Sequence, residues 1–224
     1  RATNPSAERM RQVLGLSTWQ IFGAATAASK LLNLDAGRTA TAFGLAAPCA
    51  SVPFGWKFGL AKEDRPYSWI KNNYGWASMG GILGADLAAR DFVGNRHFLD
   101  GERGFWIMAG SDQCDFDKMT AGLGREFLIA AVSHKPYACC RWSHTTLDAV
   151  SEIVRRHPIK VGDIKQIGVK AYYEAVGCLG VWEPRYLVDA MFSLPHLIAL
   201  VLLGRSPRKG LSERDLHDPE VKAL

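Results

Sequence analysis

Metal-ligand patterns are missing from this 224-residue chain. There is no H-E-x-x-H, no D-x-D-x-D-G loop and no Cys/His cluster of ligand rhythm. There is no P-loop and no G-x-S-x-G, and Gly122-Leu123-Gly124 lacks the third glycine of a dinucleotide fingerprint. Cysteine is sparse: Cys49, Cys114, Cys139, Cys140 and Cys178 are odd in number and form no C-x-x-C. Adjacent Cys139 and Cys140 are too close for an ordinary bridge, so reduced thiols in a cytoplasmic protein are expected. Long apolar runs are also lacking. Leu187 to Gly204 contains Asp189, Ser193, Pro195 and His196, which leaves only Leu197 to Leu203 unbroken. That is too short to span a bilayer and predicts a buried helix. The formal charge of +5 is scattered. Its longest basic cluster, Arg205, Arg208 and Lys209, has no interleaved aromatic and reads as a solvated loop at a helix end, not a nucleic-acid patch.

What is present is a globular composition, with 48% apolar residues. Ile21 to Asn33 is Ala-rich, with Phe22, Ala25, Ala28, Leu31 and Leu32 at helical spacing. Asp35 predicts the cap of a second helix that stops at Pro48. Trp76 to Arg90 predicts a third, rich in small residues. From residue 126 the pattern changes. Glu126 to His134 and Asp163 to Tyr172 predict strands, and Ser143 to Arg156 an amphipathic helix with Leu147, Val150, Ile153 and Val154 on its apolar face. Gly177 to Pro184 predicts a loop and the stretch to Leu203 a long helix. The expected fold is mainly α with an α+β part: a helical-bundle domain over 1–125, then a partial α+β lid domain over 126–224. Two strands make a poor sheet, so partner strands are expected beyond the end. The chain opens at Arg1, not Met, and reads as an internal piece of a larger enzyme.

Chemistry concentrates in one stretch. His134-Lys135-Pro136-Tyr137-Ala138-Cys139-Cys140-Arg141-Trp142-Ser143-His144, followed by Asp148, lies where a strand is expected to give way to a helix. Two imidazoles, an ammonium and a guanidinium would face free N–H groups at a helix N-terminus, which suits a carboxylate ligand. Arg141 is a candidate bidentate clamp. Lys135, if buried among other cations, would be a better acid–base group at neutral pH. The plainer reading takes Lys-Pro as a surface kink, the two cysteines as buried fillers and His144 as a helix cap. A weaker candidate precedes the third helix: Lys71, Tyr74 and Trp76. Cys49, Cys178 and His196 are expected in the core, and His97, His157 and His217 at structural or exposed positions.

The string Lys135-Pro136-Tyr137-x-Cys139-Cys140-Arg141-x-x-His144, then Leu147-Asp148-Ala149, resembles the MmgE/PrpD family, which includes 2-methylcitrate dehydratase, cis-aconitate decarboxylase and iminodisuccinate epimerase. The likeness continues in order through Phe22-Gly23-Ala24-Ala25, Lys30-Leu31-Leu32-x-Leu34-Asp35, Gly75-Trp76-Ala77, Asp115-x-Asp117 and Asp189-Ala190-x-Phe192-Ser193-Leu194-Pro195. It implies a dimeric, cytoplasmic enzyme with a helical domain and an α+β lid, and an active site between them. It implies proton movement at the carbon next to a carboxylate of a small di- or tricarboxylic acid. Loss of water, loss of carbon dioxide or epimerisation would follow. No metal or organic cofactor, no nucleic acid and no membrane is implied. Lys135 would match the active-site lysine of the lid, Lys71 the lysine of the helical domain and His144 a histidine of the same pocket.

Departures accompany the resemblance. Ser17 and Tyr74 stand where histidines are usual, and Lys71 is one residue closer to Gly75 than in the commoner form. Ser17 and Tyr74 support a second reading: a non-catalytic family member serving as a binding or dimerisation partner.

Overall fold

A computed structural model describes residues 2–14, 18–51, 54–55 and 74–224. The chain is mostly helical and divides into two compact units, one ending at Phe127 and the other taking in Leu128–Leu224. Among the described residues, no helix is long and apolar enough to cross a membrane.

The first unit holds α1 (Ala7–Met10), β1 (Val13–Leu14), α2 (Gln20–Leu31), α3 (Ala36–Ala46), β2 (Phe54–Gly55), α4 (Tyr74–Ala89), α5 (Phe105–Met108) and α6 (Phe116–Thr120). β1 and β2 form a two-residue antiparallel pair. The expected helix pair is present. Asn33 ends α2 from the left-handed region, with φ of 53°. There Leu34 N–H donates to Ser29 O at 3.0 Å and Asn33 N–H to Lys30 O at 3.2 Å, the paired bonds that close a helix C-terminus. Asp35 then caps α3 by accepting from Arg38 N at 2.8 Å.

α4 lies against both α2 and α3 because its contact face is made of glycine and alanine. A Cβ at Gly81 would stand 2.5 Å from Ile21 O, and one at Gly84 would stand 2.7 Å from Ala42 O. Phe22 anchors the core beside this contact, 5.3 Å from Phe98 and 5.1 Å from Phe105 between ring centroids.

The second unit holds α7 (His144–Arg156), α8 (Tyr173–Leu179), α9 (Leu187–Ala190), α10 (Leu194–Leu202), α11 (Glu213–His217) and α12 (Pro219–Lys222). α7 buries Leu147 against Leu197 and Ile198 of α10, with Val150 packed beside them. Ile153, expected on that apolar face, is half exposed. The long helix expected to run to Leu203 is two helices, because Ser193 caps a new start and Pro195 occupies its first turn. Gly177, expected in a loop, lies inside α8.

Neither expected strand forms, so the β part of the α+β lid is absent from the described residues. Residues 128–131 make a 3-10 turn, with Leu128 and Ile129 exposed. Another 3-10 turn, Val161–Asp163, precedes irregular chain up to α8. Apolar alternation alone does not hold a strand; its N–H and C=O groups need a ladder partner. Among its described residues the second unit offers only an isolated bridge between Gly180 and Ser193.

Candidate functional site

The turn from Lys135 to Cys140 feeds a 3-10 turn, Arg141–Ser143, and then α7. The segments that precede and follow α10 hold it in place. Ala138 N–H donates to Pro207 O at 3.1 Å and Cys140 N–H to Met191 O at 2.9 Å. Ser143, fully buried, donates from its hydroxyl to Cys140 O at 2.7 Å and lies 3.1 Å from Cys139 Sγ. Burial pushes the Cys139 thiol up, opposed by the Ser143 hydroxyl. A thiol held protonated is a poor nucleophile, so the filler reading of Cys139 fits.

Lys135 is exposed, which corrects the expectation of burial. Its Nζ donates to Cys139 O at 3.2 Å, which leaves the ammonium near the surface with two further N–H groups to offer. His144 is only 6% exposed, and its Nε2 is enclosed without a hydrogen-bond partner among the described residues. Burial lowers its pKa most. The Cys139 backbone carbonyl opposes that shift, Lys135 and Arg141 add to it, and Asp148 works against it. The Cys139 carbonyl thus faces both candidate groups. Arg141, exposed, donates to His134 O at 3.2 Å and Ser133 Oγ at 3.0 Å, and so braces the chain entering the turn.

Tyr137 organises the other side. Its ring is buried and stands edge-on to His144 at 5.2 Å between centroids. Its hydroxyl donates to Asp148 Oδ1 at 2.6 Å. Arg208 donates to the Tyr137 hydroxyl at 3.0 Å and to Asp148 Oδ1 at 3.2 Å, with its guanidinium 4.4 Å from the ring centroid. The basic cluster expected to be a solvated loop is therefore partnered. Its other arginine, Arg205, reaches Asp215 at 3.1 Å and Asp218 at 2.8 Å. No spacing signal could have found Arg208, because its partners lie far back in the chain.

Lys135, Arg141 and His144 thus come together in the second unit. Tyr74 and Trp76 open α4 in the first unit, both exposed. Lys71 and Ser17 lie outside the described residues. Cys178 and His196 are buried as expected, whereas Cys49 is exposed. Among the described residues, no three His, Cys, Asp or Glu side chains gather as a metal site.

Family models match at both halves: the MmgE/PrpD N-terminal domain over residues 2–116 and the MmgE/PrpD C-terminal domain over 137–224. The chain belongs to the MmgE/PrpD family. The whole Lys135–His144 turn, save its first two residues, falls within the matched C-terminal domain. The chain is also 26% identical to a cis-aconitate decarboxylase-like protein, oryM, of Aspergillus oryzae. That similarity runs over 153 residues, 64% of this chain but 30% of the relative's length.

Proposed function

We propose that the protein is a lyase or isomerase that moves a proton at the carbon next to a carboxylate of a small di- or tricarboxylic acid. The observation that carries the reading is the exposed Lys135 ammonium, tethered to the Cys139 carbonyl that also acts on a buried His144 whose pKa is lowered, in a chain of this family. A carbanion next to a carboxylate spreads charge onto the carboxylate oxygens. An ammonium fixed at those oxygens stabilises that developing charge more than the ground state. Lys135 takes this role, and Lys71 supplies a second cation from the N-terminal domain. Arg141, Tyr74 and Trp76 contribute to binding. His144 acts as proton donor or anion ligand once movement of the turn opens its Nε2 to water, relieves the burial that keeps it neutral and lets the ring take up a proton. The protein works in the cytoplasm as a homodimer and requires no metal or organic cofactor.

Decarboxylation is the first reaction to test, given the name of the Aspergillus oryzae relative. Dehydration and epimerisation follow. The native full-length protein is screened with cis-aconitate, citrate and 2-methylcitrate. Lys135→Ala is expected to lower kcat/KM by about a hundredfold or more, the scale of losing one preorganised electrostatic donor. Unchanged turnover in that variant sinks the assignment. A protein that binds these acids but turns none over supports the non-catalytic reading, which Tyr74 and Ser17 favour at the sequence level.

A further inference from the structure

The Tyr137–Asp148–Arg208 cluster links three separate segments. Tyr137 belongs to the turn, Asp148 to α7 and Arg208 to the 3-10 turn Pro207–Lys209. The links are side chain to side chain at 2.6, 3.0 and 3.2 Å. They converge on one phenol whose ring abuts His144. In parallel, Pro207, next to Arg208, accepts the backbone N–H of Ala138.

We propose that Arg208 is a positioning residue: acting through Asp148 and the Tyr137 hydroxyl, it sets the turn that carries Lys135 near His144. The inference rests on the functional reading above, since it assigns the cluster a purpose in that reaction. The chemistry suits a clamp. The Tyr137 ring is buried, so its hydroxyl cannot exchange its protein partners for bulk water without moving the ring. Burial and the neighbouring Asp148 push the phenol's pKa up, against the pull of Arg208, and it stays a neutral donor. The donor order is then fixed: phenol to carboxylate, guanidinium to both. One nitrogen, Arg208 Nη2, reaches both oxygens, its two N–H directions fixed by the planar guanidinium, which a lysine ammonium would do with less directional definition. The Asp148 and Arg208 side chains are about half exposed. The link therefore works through geometry held at the buried phenol, not through a strong surface ion pair.

The test uses the native full-length protein and two variants that keep the packing, Tyr137→Phe and Arg208→Met, with Arg208→Lys as the conservative rescue. Two readouts are taken. The first needs no substrate: amide hydrogen exchange at Ala138 and Cys140, whose N–H groups pin the turn. Exchange is expected to quicken about tenfold or more at these two amides in Tyr137→Phe and Arg208→Met, with Tm nearly unchanged. The second is turnover of cis-aconitate. Here kcat is expected to fall roughly tenfold to a hundredfold, the scale of a small misplacement, while KM stays within about twofold. Combining the two substitutions should cost no more than the larger single loss, because both cut one linkage. Arg208→Lys should recover part of kcat. Unchanged exchange at both amides overturns the inference, whatever turnover does. Quickened exchange with unchanged kcat also overturns it, since the turn would then be loosened without catalytic consequence. Wild-type protein inert on every acid of the screen, with quickened exchange in the variants, sinks the functional reading and leaves only a structural clamp.

Discussion

His144 and His196 are buried imidazoles, each with its pKa lowered chiefly by burial. The sign of their effect on stability follows directly. The unfolded chain takes up a proton near pH 6.5, whereas the folded chain resists it until lower pH. Between those two values the unfolded state binds more protons, so stability falls as pH falls. Urea unfolding at pH 7.5 and pH 5.5 is expected to show this loss, and His144→Gln should make the difference smaller. An equal pH dependence in that variant would show that His144 is not held neutral. The carboxylate contribution lies lower. Asp218 is held below its ordinary range first by the Arg205 bond, so its contribution disappears only as pH drops through and below about 4. At this scale the sequence announced Lys135, Arg141 and His144, because their chemistry is packed into one short stretch. It did not announce Arg208, because a hydrogen bond across two segments leaves no periodic trace. The exposure of Lys135 was equally hidden, since burial depends on what packs over the turn.

Helices were legible where composition itself performs the packing. Small residues on α4 permit the approach to α2 and α3, and the spacing of glycine and alanine in the sequence already states that face. Two substitutions separate packing from propensity. Gly84→Ala places a methyl group 2.7 Å from Ala42 O and is expected to cost about 1–3 kcal/mol through overpacking. Gly23→Ala, in the interior of α2 with nothing within 4 Å of the new methyl, is expected to stabilise by roughly 0.5–1 kcal/mol. Chemical denaturation measures both, and the same sign for the two would contradict the close contact. Strands were not legible in the same way. Asp163 to Tyr172 has the alternation of a strand, but alternation describes one face and says nothing of the ladder partner. The cap at Ser193 and the proline after it were visible in the sequence. The spacing of apolar residues across them suggested continuity, and local capping prevailed.

At the scale of the molecule, the family follows from matches to both of its domains, and the proposed chemistry calls on one cation from each. Arg205 and Arg208 account for their charge locally, with Asp215, Asp218 and Asp148. The Lys135 ammonium is tied by the described bonds to a backbone carbonyl alone, which is compatible with the carboxylate contact proposed for it. If Lys71 supplies the second cation, Lys71→Ala and Lys135→Ala should each raise KM or lower kcat for the same acid. Unchanged steady-state kinetics in Lys71→Ala would remove that residue from the site. The central claim, that the Lys135 ammonium grips a carboxylate, is met most directly by calorimetric titration of citrate into the native full-length protein and into its Lys135→Gln variant. A charge-assisted hydrogen bond contributes about 1.5–3 kcal/mol, so the variant is predicted to bind roughly tenfold to a hundredfold more weakly. Equal Kd values for the two proteins would contradict it.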